Sequence, residues 1–215
     1  MDTSKLSNRD YVIVIDKSGS MATKDVGGKS RWQAVQETVN AIAQKVSEYD
    51  PDGITVYTFG SSFRKYENTT PEKVAQVFKE NEPAGGTDMM PFLKDVFSSY
   101  QARKAKGETK ANGEMLLVVT DGESENQDQI ASEIVKFGNS LSNADEEYGI
   151  GFFQIGSDPS ALAFLKKLDD GLTAKGAKHD IVDCKTFAEI ENIGLTEALT
   201  QALTRPGSKL GRRNT

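Results

Sequence analysis

Four short apolar runs, each closed off by an acid or a glycine, constrain what this chain can fold into more than any other feature. They are Tyr11–Ile15 ahead of Asp16, Ile54–Phe59 ahead of Gly60, Met115–Val119 ahead of Thr120-Asp121-Gly122, and Ile150–Ile155 ahead of Gly156. Runs this short and this apolar fit strands buried on both faces. Helical patterns fill the intervals. Ser30 with Gln33 forms a capping box, and Val35, Val39, Ile42, Val46 and Tyr49 follow at steps of four and three, ending near Asp50-Pro51. Thr70-Pro71 opens a shorter helix carrying Val74, Val77 and Phe78, with Thr70 as its cap. Further helices carry Phe92 to Tyr100, Ile130 to Leu141 and Pro159 to Leu168.

Phe63–Tyr66 reads as a short edge strand and Ile181-Val182 as the last strand. Thr186 with Glu189 repeats the capping box, and Gly194 interrupts the final helical pattern before Leu195, Leu199 and Leu203. Strands alternating with helices predict an α/β fold: a doubly wound, mostly parallel sheet with helices on both faces. One domain spans residues 1–205, and residues 206–215 read as a short, basic, disordered tail. The Lys-rich segment Arg103 to Asn112 reads as a solvated connection.

Charge and rare residues then narrow the function. Acids number 32 against 26 Lys and Arg, a net charge of −6. Four positive residues (Arg205, Lys209, Arg212, Arg213) and no acid fall after Thr204, so residues 1–204 carry −10. A body this acidic disfavours phosphate-backbone recognition, and no nucleic-acid partner is expected. One Cys (Cys184) cannot close an intrachain disulfide, and with the single His (His179) it cannot build a four-ligand zinc site. His179 lies in a polar Gly/Lys stretch that reads as surface loop, which removes Ser-His-Asp and Cys-His catalysis. No window approaches the roughly 18 apolar residues of a membrane span, and the N-terminus has no apolar stretch behind a basic start. The expectation is a reducing, cytoplasmic location with no membrane contact.

The unusual polar residues gather at the predicted ends of the strands, where open α/β sheets bind ligands. Asp16-Lys17-Ser18-Gly19-Ser20 follows the first strand, Gly86-Thr87-Asp88 opens a helix, and Thr120-Asp121-Gly122 follows the third run. Asp16, Ser18, Ser20, Thr87 and Asp121 are all hard oxygen donors. Such a set suits Mg2+, with Mn2+ or Ca2+ as alternatives, rather than zinc or copper. Five donors leave one octahedral position for an outside ligand, and a carboxylate suits it best.

Asp16-x-Ser18-x-Ser20, then Thr87, then Thr120-Asp121-Gly122 resembles the metal-ion-dependent adhesion site of von Willebrand factor A domains, in particular their cytoplasmic, bacterial-type members. The resemblance runs from Asp10 to about Leu203. It implies a Rossmann-like fold and a divalent ion, usually Mg2+, held by Asp16, Ser18, Ser20 and Thr87 directly or through water. Asp121 would hold the ion through water in the high-affinity state. It also implies a non-enzymatic module in which the ion receives an Asp or Glu of a partner protein. An ATPase or a component of a stress-response or metal-resistance system is the kind of partner such members have. In members that switch, the C-terminal helix slides, and Gly194 breaks that helix here.

Plainer readings stand beside these. Asp16 and Asp121 can cap nearby backbone N–H groups, and Ser18-Gly19-Ser20 can be a flexible turn. Asp88 reads as a helix N-cap, Trp32 as a packing residue and Cys184 as a small buried hydrophobe. Met89-Met90 fits either core or an adaptable surface. Glu123, Glu125 and Asp128 read as a solvated helix start. The rival function is a metal-dependent phosphatase or phosphotransfer hydrolase with Asp16 as nucleophile. That chemistry wants a second Asp two residues on, where this chain has Ser18. A nucleotide-binding Rossmann protein would need a G-x-G-x-x-G that is absent.

Overall fold

Side chains alternate across a strand, so each apolar run has to supply two cores at once. The first strand, β1 (Asp10–Asp16), does this: all of its residues after Asp10 are buried. Tyr11, Ile13 and Ile15 point to one layer, where α1 (Arg31–Ser47), α2 (Pro71–Lys79), α7 (Phe187–Ile193) and α8 (Leu195–Thr204) pack. Val12 and Val14 point to the other, covered by α3 (Met90–Lys106), α4 (Gln127–Ser140) and α6 (Pro159–Asp170). The computed structural model describes residues 4–122 and 124–204. The basic tail expected at 206–215 lies outside them, as does Glu123.

The remaining strands are β2 (Ile54–Phe59), β3 (Phe63–Thr69), β4 (Glu114–Thr120), β5 (Tyr148–Gln154) and β6 (Val182–Thr186), and a single-turn helix, α5 (Ala144–Glu147), precedes β5. They form one six-stranded sheet in the order β3-β2-β1-β4-β5-β6. All pairings are parallel except that of β3 with β2. The doubly wound, mostly parallel sheet with helices on both faces is therefore the fold observed. Both capping boxes form, at Ser30/Gln33 and at Thr186/Glu189, and Gly194 separates α7 from α8.

Several local expectations need correction. The last strand is β6, starting at Val182 and running to Thr186; as an edge strand it keeps its later residues half-buried, so polar Asp183 and Lys185 hide it in the sequence. Helix α3 continues through Lys106 into the segment expected to be solvated. Its last apolar residue inward is Tyr100, and its final turn is held by charge instead. Arg103 donates to Asp10 at 2.6 Å and pairs with Glu114, Lys104 pairs with Glu147 at 2.6 Å, and Lys110, beyond the helix, pairs with Asp50. Thr70 precedes Pro71 as expected but makes no side-chain cap bond. Met89, not Asp88, is the cap of α3, although Asp88 Oδ1 still accepts from the Met90 N–H at 3.1 Å. Met89 is fully buried and Met90 half-buried; Trp32 packs on Phe78 with ring centroids 4.7 Å apart. Cys184 is half-buried, its thiol pushed up to about 12 by burial and so neutral.

Glu114 begins β4 and is 1% exposed. Burial pushes its carboxyl up to about 7, although Arg103 and the Tyr148 hydroxyl (2.8 Å) both favour the charged form. A carboxyl raised on folding lends stability that is complete below its unfolded value of 4.5 and lost as pH climbs through about 7. Glu114→Gln should remove that loss, on the order of 1–3 kcal/mol. Urea denaturation at pH 5 and pH 8 is expected to show a smaller difference in the variant; an unchanged difference would clear Glu114 of the effect.

Candidate metal centre

The chain leaves β1 toward β2 on one side and later crosses to β4 on the other, so the loops after β1 and β4 diverge and open a crevice between them. Asp16 is the last residue of β1. Thr120 is the last of β4, and Asp121 follows it. Asp16 is fully buried and Asp121 is 1% exposed.

Both Asp16 oxygens are engaged. Oδ1 accepts from the Ser18 N–H at 2.7 Å and Oδ2 from the Thr120 hydroxyl at 2.6 Å. The Ser18 and Ser20 hydroxyls lie 3.0 Å apart, and Ser20 donates to Asp121 Oδ1 at 2.9 Å. Four of the five candidate residues thus form one hydrogen-bonded string across the crevice. The fifth arrives on a backbone scaffold. Gly19 N–H donates to the Gly85 carbonyl at 3.1 Å, and the Thr87 carbonyl accepts from Ser124 Oγ (2.9 Å) and Glu125 N–H (3.1 Å). Among the described residues, no hydrogen bond joins the Thr87 hydroxyl to the other four. Ser20 is exposed and Thr87 half-buried, so the string opens to solvent on their side while Asp16 forms its floor.

The capping role expected for Asp16 is real, through Ser18 N–H, but leaves its charge without compensation. Among the described residues no Lys, Arg or His forms an ion pair with Asp16. Burial therefore pushes its carboxyl up to about 6 against the help of its hydrogen bonds with Thr120 and Ser18, with Asp121 adding to the rise. Asp121 differs: Arg31 Nη1 donates to its Oδ2 at 2.8 Å. Arg31 also holds Asp25, through Nε at 3.1 Å and Nη2 at 2.6 Å. Those two carboxylates hold the guanidinium's proton even more firmly than usual, Asp25 first, and Arg31 holds the exposed Asp25 carboxyl below the ordinary range.

Three contributors lay outside the sequence-derived set. Thr120 ties Asp16 to β4, and Ser124 ties the Thr87 loop to the loop after β4, also accepting from Met89 N–H at 3.1 Å. Arg31 is the third, and it carried a legible signal: it is the first residue of α1, where the helix dipole disfavours a cation, so its charge needs a local partner.

The donors present are carboxylate and hydroxyl oxygens alone, and among the described residues no three His, Cys, Asp or Glu side chains cluster as a metal group. A hard divalent cation fits such a set, since hydroxyls complete what two carboxylates begin, whereas a soft or imidazole-seeking ion does not. A buried carboxylate without a counter-charge is the feature that a cation would relieve.

The von Willebrand factor type A domain pattern matches residues 11–123, more than half of the chain. The chain belongs to that family. No curated protein matches the sequence. Among solved structures, this von Willebrand factor A domain is similar to a mutant of the PilB minor pilin from Streptococcus sanguinis, with a TM-score of 0.62 and 13% identity. That match covers 92% of this chain but 60% of the pilin chain, so the domain spans less than two thirds of its neighbour. It is also similar to manganese-loaded TRAP protein from Plasmodium vivax, with a TM-score of 0.53, 14% identity, and coverage of 87% and 72%. At these identities the likeness is one of fold. Among the described residues, no helix is long and apolar enough to cross a membrane.

Proposed function

We propose that this von Willebrand factor A domain is a protein-interaction module whose Asp16, Ser18, Ser20, Thr87 and Asp121 hold a divalent ion that receives an acidic side chain of a partner protein. The observation that carries the reading is Asp16: a fully buried carboxylate with no ion-pair partner among the described residues, linked through Ser18 and Ser20 to a second buried carboxylate at the sheet's switch point. Mg2+ is the expected ion, with Mn2+ or Ca2+ able to take its place; the manganese-loaded state of the Plasmodium vivax neighbour accords with that choice. The ion supplies a positive Lewis-acid centre. Asp16 sets the floor of the cage, Thr120 fixes its carboxylate plane, and Ser124 keeps the Thr87 loop in place. The role is binding and not catalysis, because Ser18 stands where a phosphatase needs its proton-transferring acid.

By family likeness, the partner belongs with ATPases or with stress-response or metal-resistance systems of a bacterial cytoplasm. A single half-buried thiol suits that reducing compartment. Calorimetric titration of the intact chain with Mg2+ and Mn2+ tests the reading, followed by a pull-down in Mg2+ eluted with EDTA. Saturable heat and an EDTA-released protein are expected. Absence of heat with either ion sinks the metal assignment.

A further inference from the structure

Among the described residues Arg31 is the one cation that pairs with a candidate cage residue, and its place is fixed by three neighbours. Asp25 grips Nε and Nη2, Asp121 takes Nη1, and Gly156, in the turn after β5, comes close to the guanidinium. A Cβ on Gly156 would come within 2.9 Å of Nε and 3.0 Å of Cζ, and Gly156 has φ +78. The close approach is possible only because that residue is glycine. The Arg31 side chain is 13% exposed and Asp121 has none of its side chain exposed, while Asp25 keeps 34%. Water therefore screens Asp25 more than it screens the Arg31–Asp121 contact, so Asp25 offsets only part of the Arg31 charge felt at the cage.

We infer that Arg31 is a fixed counter-charge of the metal cage, weakening its hold on the ion and leaving the loaded site a positive surplus for an acidic ligand. The inference rests on the metal reading above. With Arg31 in place, the two aspartates contribute less than two negative charges toward a divalent ion. Without it they would neutralise the ion and leave little attraction for a further carboxylate. A purely structural Arg31 would instead serve to stabilise the Asp121 loop, and its loss would loosen the ion site.

Mn2+ binding to the full chain, followed by water-proton relaxation, separates these roles. Arg31→Gln is expected to bind Mn2+ about tenfold or more tightly, and Arg31→Lys, which keeps the charge, to stay within about threefold of the native protein. Acetate is the second probe. It should displace Mn2+-bound water at a concentration about tenfold higher in Arg31→Gln than in the native protein. Both results are required. Where Arg31→Gln folds only with Mn2+ present, read by melting temperature, the acetate displacement on the loaded variant decides; a variant unfolded at saturating Mn2+ overturns the inference. Equal or weaker Mn2+ binding in Arg31→Gln, beside a native protein that binds, overturns this inference alone. No Mn2+ binding in either protein overturns the metal reading together with it.

Discussion

Asp16→Asn is expected to lower Mg2+ affinity at least about a hundredfold while making the metal-free protein more stable. The two effects share one cause. In the metal-free fold Asp16 holds a charge away from water, and its carboxyl, ordinarily at 3.8, rises to about 6. That rise corresponds to roughly 1–3 kcal/mol borne by the folded state, absent below pH 3.8 and complete above about pH 6. Asn is nearly the same shape. Its oxygen keeps the Ser18 N–H, and the Thr120 hydroxyl can turn to accept from the new amide. The melting temperature of the metal-free variant should then rise by about 2–10 °C at pH 8, while Mg2+ no longer shifts it. If Asp16 only caps the turn, the variant will melt lower and retain whatever Mg2+ response the native protein has. A trade of stability for binding is the pattern of a site, not of a scaffold.

The opposite ends of β1 and β4 make the same distinction without a mutation. Asp10 and Glu114 sit opposite one another in register at the start of the two strands, as Asp16 and Asp121 lie close together at their far ends. At the starting end acids are answered by cations: Arg103 spans Asp10 and Glu114, and Lys110 spans Asp10, Asp50 and Asp52. At the far end Arg31 answers Asp121 and Asp25, and among the described residues no cation pairs with Asp16. One chain therefore contains a closed ionic cluster and an open one on the same pair of strands, and only the open one has a charge to offer.

The open cluster was legible in the sequence because strand ends are. Ile54–Phe59 is β2 to the residue, and the apolar runs ending at Asp16 and just before Thr120 place both aspartates at one edge of the sheet. Capping boxes are equally local, which is why Ser30 and Thr186 were readable. What stayed hidden depends on contacts between distant segments. Arg31 meets Asp121 across 90 residues and Thr120 meets Asp16 across 104, and no periodicity announces either. The last turns of α3 were missed for the same reason. Their partners Asp10, Glu114 and Glu147 lie on other elements, so the segment reads as merely charged.

Gly113→Ala should be the most damaging single-methyl substitution in the fold. Gly113 precedes β4 with φ +72, and its carbonyl accepts the Asp10 N–H at 2.8 Å, locking the start of β1 to the start of β4. A Cβ there would lie 1.8 Å from the Glu147 carbonyl oxygen and 2.6 Å from its carbon. Neither atom is the end of a flexible side chain, so a backbone must move, and the strands on either side are fixed by the two cores. Gly107 provides the control. It has the same φ of +72 at the end of α3, but an added Cβ would meet nothing within 4 Å. Gly107→Ala therefore isolates the cost of left-handed backbone, about 1–2 kcal/mol. Gly113→Ala adds the collision and should lose about 4 kcal/mol or more in total, a fall in melting temperature of roughly 8–16 °C. Equal losses in the two variants would mean that the Glu147 strand entrance yields freely. The rigid crossing beneath β1 and β4, on which the placement of Asp16 and Asp121 depends, would then be softer than its packing implies.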